Sequence, residues 1–418
     1  MLAEAKVYAK LDRRLLPLLF FCYVAAYLDR VNVGFAKLQM MGDLGLSDLA
    51  YGTGAGIFFI GYFLFEVPSN LILAKVGARR WIARIMIGWG LVSCANLFVR
   101  DAASFYLLRF LLGLAEAGFF PGIVLYLTYW YPAARRARIV AIFMSAVAVA
   151  GVVGGPLSGW IMARCAGLHG LAGWQWLFLL EGLPSIVLGV AVLLWLDDRI
   201  ADARWLTPAE QQLLTQAVAA EARAIAPRSL RATFADGRVW ALALVYFCFV
   251  MGLYGVSFWL PQLLKNAGAQ DVLTIGLMTA VPWCLGALAM IALARRSDRL
   301  GERRGHVALA GLAGAAGLLL STLAAGQPWL SLAALSLATA GILATLPIFW
   351  SLPTAMLSGA AAAAGIALIN SFGNLAGFLS PFLVGAIREA SGSTSGGMLV
   401  LAAAMLIGAA IVTRVARP

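Results

Sequence analysis

The sequence predicts an all-α membrane protein in which twelve transmembrane helices form two six-helix bundles. Three observations support this class: the apolar composition, the lengths of the apolar runs, and markers that recur between the halves of the chain. The 418 residues are 62% hydrophobic and 12% charged, and the mean hydropathy is +0.89. A soluble domain of this size could not bury so much apolar surface, so the composition indicates a polytopic membrane protein.

The individual spans follow from apolar runs that reach the length of about 20 residues needed to cross a bilayer. The first run follows "KLDRR" and lacks a small-residue cleavage pattern, so it is predicted to be a retained span rather than a signal peptide. The predicted spans, numbered 1 to 12, cover residues 15–37, 51–74, 81–99, 103–130, 138–163, 174–195, 239–264, 272–294, 306–325, 329–356, 360–387 and 394–413.

The longest polar stretch separates the spans into two groups of six. It contains "LTPAEQQLLTQAVAAEARAIA", in which Thr207 is suited to cap a helix and Pro208 to begin one. The predicted domains are therefore an N-terminal six-helix bundle at 1–195, a cytoplasmic linker with a short surface helix at 196–238, and a C-terminal six-helix bundle at 239–418.

The basic charge is distributed unevenly between the two sides of the predicted membrane. The N-terminal segment, the even-numbered connections and the C-terminus hold 24 of the 31 Lys and Arg residues. By the positive-inside rule, both termini are predicted to be cytoplasmic in a multi-pass protein of the cell (inner) membrane. The net charge of +12 is thereby explained by topology, and no nucleic-acid partner is expected.

Similar markers recur at a nearly constant separation, which indicates a duplication. "AKVGARR" at 74–80 matches "DRLGERR" at 298–304 with an offset of 224, and Pro156 matches Pro381 with an offset of 225. Parallel repeats with a substrate site between the halves are a transporter architecture. A P-loop pattern is absent from the sequence, which counts against direct coupling to ATP.

The five cysteines and two histidines show no metal-ligand or disulfide spacing. Nor does the sequence show a nucleophile with its base. We therefore expect no metal, no cofactor and no enzymatic activity.

Six charged residues lie well inside the predicted spans, away from the span ends. A charge at mid-bilayer costs ~3 kcal/mol or more, so such residues usually face an interior cavity and have partners. The alternative for each is a structural ion pair that only holds helices together. These residues are Asp29, Arg30, Glu66, Arg109, Glu116 and Glu181.

Helix geometry separates the roles of the adjacent pair in span 1. Asp29 and Arg30 lie about 100° apart around the helix, whereas Tyr27 shares a face with Arg30. We expect that face to line a cavity in which the planar guanidinium of Arg30 holds a substrate carboxylate. Asp29 then points toward a neighbouring helix.

The four other charged residues inside the spans divide into two groups. Arg109 and Glu116 are seven residues apart in span 4 and share nearly the same face, either as functional groups or as members of a fixed ion pair. Glu66 is predicted to be mainly structural, pairing with arginines of the loops. Glu181 is also predicted to be more structural than functional.

The motif between spans 8 and 9 resembles the loop signature of the major facilitator superfamily. The chain as a whole is similar to the anion:cation symporter family, through "YLDRVNVGFA", "FFIGYFLFEVPSNLIL", "RFLLGLAEAGFFPG", "FWSLPTAMLSG" and "ALINSFGNLAGF". The resemblance implies a cytoplasmic gate motif in each half, with a weaker latch in the first half, where Ala74 replaces the acid. Its residues are Asp298, Arg299, Gly301, Arg303 and Arg304, and Gly77, Arg79 and Arg80 in the first-half copy.

The resemblance also implies which residues handle protons and substrate. The proton-coupling residues would be Asp29 and Glu116, with Arg109 beside them. The substrate-binding residues would be Tyr27, Arg30, Tyr62, Trp350 and Asn370, with Tyr254, Trp259 and Asn374 as weaker candidates.

Two positions depart from the pattern of the sugar-acid branch of that family. Val147 stands in place of a polar amide, and Gly373 in place of a hydroxyl. Fewer hydrogen-bond partners favour a tartrate-like dicarboxylate or an aromatic carboxylate over a polyhydroxylated sugar acid.

The function predicted from these features is proton-coupled import of a small organic anion by alternating access. The partners expected are that anion, protons and the lipid bilayer, with the protein acting as a monomer. Proton-driven efflux of amphipathic compounds is an alternative. A non-transporting membrane sensor is another, although the central loop is too short for a signalling domain.

Overall fold

The computed structural model of the chain describes residues 2–224, 235–324, 326–356 and 360–415, and the regular elements in these ranges are all helices. Part of the predicted linker (225–234) and the predicted end of span 9 at residue 325 lie outside the described residues. Within the described residues, twelve helical segments are long and apolar enough to cross a membrane, which confirms the predicted fold class. They are Glu4–Leu44, Asp48–Val76, Ala78–Phe98, Ala102–Thr128, Arg138–Arg164, Gly173–Trp195, Gly237–Asn266, Val272–Leu300, Arg304–Leu323, Pro328–Thr354, Gly365–Ser391 and Ser395–Arg414.

Three of these spans are interrupted helices. Span 1 consists of Leu2–Val31 and Val33–Leu44, span 4 of Ala102–Glu116 and Phe119–Thr128, and span 5 of Ala133–Met144 and Ala146–Arg164. At the break in span 4, Gly118 has φ +86°, and a Cβ there would overlap with the hydroxyl of Ser69. Only glycine suits that left-handed position, and the break leaves Glu116 at a helix end.

The linker helix begins where the sequence predicted it. The helix Pro208–Ala224 starts after Thr207, whose hydroxyl accepts from the amide of Glu210 at 3.3 Å. The Glu210 carboxylate accepts in turn from the amide of Thr207 at 2.8 Å, which completes a capping box.

One end of the molecule gathers the N-terminus and the even-numbered connections, and we call it the terminal end. There Lys10 pairs with Glu210 at 2.8 Å, and Arg135 pairs with Glu4 at 3.3 Å. The opposite, or distal, end gathers the odd-numbered connections. The two sets of connections therefore lie on opposite sides, as twelve crossings require.

Helix packing repeats between the first and last six spans. The main pairs in the first half are 1 with 5, 1 with 6, 2 with 4, 3 with 4, and 3 with 6. Adding six to each number gives the main pairs of the second half, from 7 with 11 to 9 with 12. Among the pairs between the halves, 1 with 7 maps onto itself under the same exchange, and 2 with 11 maps onto 5 with 8. The duplication seen in the sequence is therefore a duplication of packing.

Cross-half packing is tight in the distal half of the spans. A Cβ on Gly52 of span 2 would overlap with the backbone of Pro381 in span 11. A Cβ on Gly155 of span 5 would likewise meet the carbonyl oxygen of Gly276 in span 8. Missing side chains at these positions let the backbones approach, which closes the distal end.

The terminal half of span 2 is uncovered on more than one side. Phe63, Leu64 and Phe65 are consecutive and are 40%, 55% and 43% exposed. Consecutive residues point about 100° apart around a helix, so lipid on one side cannot account for all three. The two halves are therefore splayed apart at the terminal end.

Closure of the distal end depends on the absence of a side chain at Gly52. In Gly52→Val the added atoms meet backbone, and overpacking of this kind costs ~1–3 kcal/mol, enough to lower the ratio of closed to open molecules at least about fivefold. The test is crosslinking of cysteines placed at positions 49 and 389 in a background without the native cysteines. In the structure the Leu49 amide donates to the Glu389 carboxylate at 2.7 Å.

The matched control is Gly88→Val, because a Cβ at Gly88 has nothing within 4 Å. It should crosslink like the parent. Equal crosslinking in Gly52→Val and the parent would show that this contact does not hold the distal end closed.

Candidate functional site

Arg30 lies at the junction of the two halves and is 7% exposed. Its guanidinium donates to the hydroxyl of Tyr254 in span 7 at 2.9 Å and forms an ion pair with Glu116 of span 4. The rings of Phe58 and Tyr62 in span 2 lie 5.3 and 5.6 Å from the guanidinium carbon. One cation thus contacts three other spans from both halves.

Glu116 lies next to Arg30, where we predicted from the sequence that a substrate carboxylate would bind. Its side chain is 1% exposed, and its second oxygen, Oε2, has no hydrogen-bond partner. The Nε of Arg30 is also without a partner. Glu116 therefore retains a free acceptor at Oε2, and Arg30 retains a free donor at Nε.

Arg109 does not pair with Glu116, although both lie on the same helix. It is fully buried and lies near backbone carbonyls of Gly54 and Arg30, each 3.4 Å from a guanidinium nitrogen. Its guanidinium carbon lies 5.3 Å from the ring of Phe58. Arg109 therefore supports the main chain of span 1 beside Arg30.

Asp29 points away from Arg30, as its position on the helix predicts. Its carboxylate accepts from Trp89 at 2.9 Å and Ser93 at 2.7 Å in span 3, and from Ser185 at 2.5 Å in span 6. Three donors on a residue that is 1% exposed fix the rotation of span 1 about its axis.

Tyr27 and Arg30 share a face, again as predicted. The Tyr27 hydroxyl lies 3.1 Å from the hydroxyl of Ser257 in span 7, and its ring meets Trp283 of span 8 at 5.9 Å. This face of span 1 is therefore directed at the second half of the protein.

The prediction that Glu66 pairs with loop arginines is wrong. Its carboxylate instead accepts from Asn370 at 3.3 Å and from Ser371 at 3.4 Å, both in span 11. Glu66 thus joins the halves and contacts a predicted substrate residue. Its spacing of four residues from Tyr62, which places both on one helix face, was the signal in the sequence.

An aromatic wall faces this site from the second half. Trp350 of span 10 lies 4.8 Å from the ring of Tyr246, which in turn stacks on Phe349 at 5.2 Å. Tyr246 was not among the residues predicted from the sequence. A Cβ on Gly373 would overlap with its ring, so the missing hydroxyl at 373 is replaced by aromatic surface.

Three further candidates lie in different surroundings. Val147 in span 5 and Asn374 in span 11 are half-buried, with Asn374 one turn beyond Asn370. Trp259 is fully buried at the distal end, where the Lys37 ammonium lies 3.6 Å from its ring centroid. Trp259 therefore belongs to the distal closure rather than to the site around Arg30.

The second-half gate motif forms a compact turn. Asp298 pairs with Arg303, Gly301 adopts φ +66°, and the hydroxyl of Ser297 donates to the carbonyl of Glu302 at 2.6 Å. Arg299 is exposed, and Arg304 begins span 9.

In the first-half copy the missing acid is replaced from another part of the chain. Asp198, just after span 6, accepts from the backbone amide of Arg79 at 2.8 Å and lies against Gly77, whose φ is +97°. The Arg79 side chain donates to the carbonyl of Leu193 at 2.6 Å, while Arg80 is exposed. The acid that position 74 lacks is thus supplied by connection 6.

Comparison with known proteins gives a consistent family. The profile of the Major Facilitator Superfamily matches residues 19–381. A protein named "Putative tartrate transporter" from Agrobacterium vitis is 51% identical over 416 residues, covering 99% of this chain and 92% of the relative. The "Quinolone resistance transporter" of Acinetobacter baumannii is 42% identical over 408 residues, covering 97% and 94%.

The fold is also found among solved structures. A bacterial homolog of the human lysosomal transporter Spinster, in an inward-facing and occupied conformation, superposes with a TM-score of 0.76 at 18% identity. The match covers 96% of this chain and 97% of that chain.

The carboxylate of Asp198 should stabilise the first-half gate motif. Asp198→Ala removes the acceptor of the Arg79 amide, and loss of such a cap costs ~1 kcal/mol, which corresponds to a fall in unfolding temperature of about 2 °C. Thermal unfolding of the purified protein measures the shift. Asp202→Ala, an exposed acid in the same connection, is the control and should leave the temperature unchanged. Equal unfolding temperatures for the two variants would contradict the role of Asp198.

Proposed function

Because the chain belongs to the Major Facilitator Superfamily, we propose that it is a proton-coupled symporter that imports a small organic anion by alternating access. The observation that carries the proposal is the buried pair of Arg30 and Glu116, whose guanidinium also binds Tyr254 from the other half. The Glu116 carboxylate lies where a substrate carboxylate would bind Arg30. This supports a mechanism in which the two carboxylates compete for the same guanidinium.

The competition links the anion to a proton. Glu116 neutralises Arg30 while it is ionised, and a protonated Glu116 leaves the guanidinium free for an incoming carboxylate. For one bound carboxylate, the net charge of the pair with its ligand is then zero in both cases, and the second carboxylate of a dianion needs a second proton. A low-dielectric interior penalises any state with an unpaired charge, so the anion and the proton enter together.

Asp29 is the second acid in the proposed coupling. Its donors include the Trp89 indole, which can only donate. Protonation of Asp29 therefore weakens at least one of the bonds that join span 1 to spans 3 and 6. We infer that the charge of Asp29 is linked to the packing of span 1 against these spans, with Arg109 holding the backbone beside Arg30.

The residues around Arg30 favour a small or aromatic carboxylate. Tyr62 and Trp350 offer ring faces, and Asn370 with Glu66 offers a limited set of hydrogen bonds. Tyr27, Tyr254 and Asn374 complete the proposed polar lining. A tartrate-like dicarboxylate would place one carboxylate on Arg30, and the relative named for tartrate supports this class.

Alternating access would move one bundle against the other. We assign residues 1–195 and 239–418 as the moving bundles, with 196–238 as the connecting linker. The excess of Lys and Arg favours a cytoplasmic terminal end in an inner membrane. The splayed terminal end and the closed distal end then correspond to an inward-facing state, which the two gate motifs would close.

Efflux of an aromatic compound is the second candidate. The relative named for quinolone resistance supports it, and quinolones themselves carry an aromatic carboxylate that Arg30 could bind. The two candidates therefore share a site and differ in direction. Uptake of labelled tartrate and of a labelled quinolone, into proteoliposomes of known orientation under an imposed pH gradient, distinguishes them.

The planar cation at position 30 should be essential for binding. Arg30→Lys keeps the charge but loses the planar guanidinium with its two parallel N–H donors, so affinity for tartrate should fall at least about 100-fold. Tyr254→Phe removes one neutral hydrogen-bond partner of Arg30 and should lower the affinity for tartrate only about fivefold. Binding is measured by titration calorimetry, with Arg100→Lys in an exposed connection as the control. Wild-type affinity in Arg30→Lys would rule out this site.

Neutralising Glu116 should separate transport from proton coupling. Glu116→Gln mimics the protonated acid, so counterflow should stay within about twofold of the parent while accumulation driven by a pH gradient falls at least about tenfold. Both are measured with labelled tartrate in the same proteoliposomes. Accumulation at the parental level would remove Glu116 from the coupling mechanism.

Substrate class should follow from the apolar positions Val147 and Gly373. A six-carbon aldonate has hydroxyls that lose water on entry, and each unpaired group costs ~1–3 kcal/mol. Tartrate should therefore compete better than the aldonate for uptake, and Val147→Gln should narrow the difference. The reverse order in the parent protein would contradict this assignment.

A further inference from the structure

A second buried site lies at the junction of spans 1, 5, 6, 7 and 8. It is a small cavity of about 20 Å³, which is room for one water-sized particle. Its wall includes polar side chains from both halves of the protein. These are Asn32, Ser158, Glu181, Ser257 and Thr279.

The cavity contains polar groups without partners. Glu181 is 3% exposed, and only its Oε1 is hydrogen-bonded, accepting from Ser158 at 2.7 Å. Its Oε2 has no partner, and neither the oxygen nor the nitrogen of the Asn32 amide has one. Asn32 is 1% exposed, so water outside the protein does not satisfy it.

Glu181 has fewer compensating contacts than the other buried acids described above. Asp29 has three donors, Glu116 pairs with Arg30, and Glu66 has two donors from span 11. Glu181 has one hydrogen-bonded hydroxyl, from Ser158, and the Asn32 amide beside it in the cavity without a hydrogen bond of regular geometry. A buried carboxylate with so little compensation is costly unless it is protonated or a charge of opposite sign accompanies it.

The cavity is rich in oxygen lone pairs. The hydroxyl hydrogen of Ser158 is committed to Glu181, and that of Thr279 is committed to the carbonyl of Gly276 at 2.7 Å. Both hydroxyl oxygens therefore retain lone pairs, as do Glu181 Oε2 and the amide oxygen of Asn32. Carboxylate, amide and hydroxyl oxygens suit hard cations, and the single carboxylate among the lining residues balances one positive charge.

We propose that this cavity is a binding site for a monovalent cation, Na⁺, with Glu181 and Asn32 as its principal ligands. The wall contributed by spans 7 and 8 includes Ser257 and Thr279, and a Cβ on Gly155 would overlap with the Thr279 hydroxyl. The site is therefore complete only while spans 5 and 8 pack closely. Bound Na⁺ stabilises the closed distal end, independently of Arg30 and Glu116.

The test compares thermal unfolding of the purified full-length protein in NaCl and in choline chloride at constant ionic strength and pH. Choline is too large for the cavity. Na⁺ should raise the unfolding temperature in a saturable manner, and Glu181→Gln should abolish that rise. Asp101→Asn, the same change at an exposed helix cap, should keep it. Na⁺ should also increase crosslinking between cysteines at positions 49 and 389.

A second variant protects the test against a folding defect in Glu181→Gln. Thr279→Val removes one oxygen with little change in shape, and should raise the half-saturating Na⁺ concentration at least about tenfold. Equal unfolding temperatures of the parent in the two salts would overturn the proposal and leave Glu181 as a proton-binding or water-bound group. A Na⁺ response that persists in Glu181→Gln would also overturn it.

Discussion

A guanidinium buried between the two halves is the constraint on which the rest of the structure depends. Arg30 needs a negative partner because an unpaired charge in an apolar interior is costly. In this structure Glu116 is that partner, while Tyr254 ties the same guanidinium to the second half. Any ligand that takes the place of Glu116 must leave the interior neutral, so binding, protonation and the relative position of the halves are physically linked.

The surrounding structure holds this cation in position. The three donors to Asp29 set the rotation of span 1, which directs Arg30 toward span 7. The break at Gly118 ends the preceding helix at Glu116, so the acid lies at a helix end, with two residues between it and the start of the next helix. Close glycine contacts bring the distal halves of the spans together, and this approach completes both the Arg30 cluster and the cavity beside Glu181.

The spans, the duplication and the opposite directions of Asp29 and Arg30 were predictable because hydropathy, spacing and helix geometry are local properties of the sequence. Contacts between distant segments were not. Glu66 meets Asn370, which is 304 residues away, and Asp198 supplies the acid missing at Ala74 from 119 residues beyond Arg79. The ring of Tyr246 over Gly373 and the unpartnered amide of Asn32 depend equally on tertiary packing. The local sequence around each of these residues does not identify the distant residue that it contacts.

The most direct test of the link between Arg30, Glu116 and the substrate is the number of protons taken up when the anion binds. Calorimetric titration of tartrate in buffers with different enthalpies of ionisation gives that number for the purified protein. Competition for Arg30 predicts uptake of about one proton per carboxylate that displaces Glu116, and no such uptake in Glu116→Gln. Binding of tartrate with no proton uptake by the parent protein would contradict the coupling.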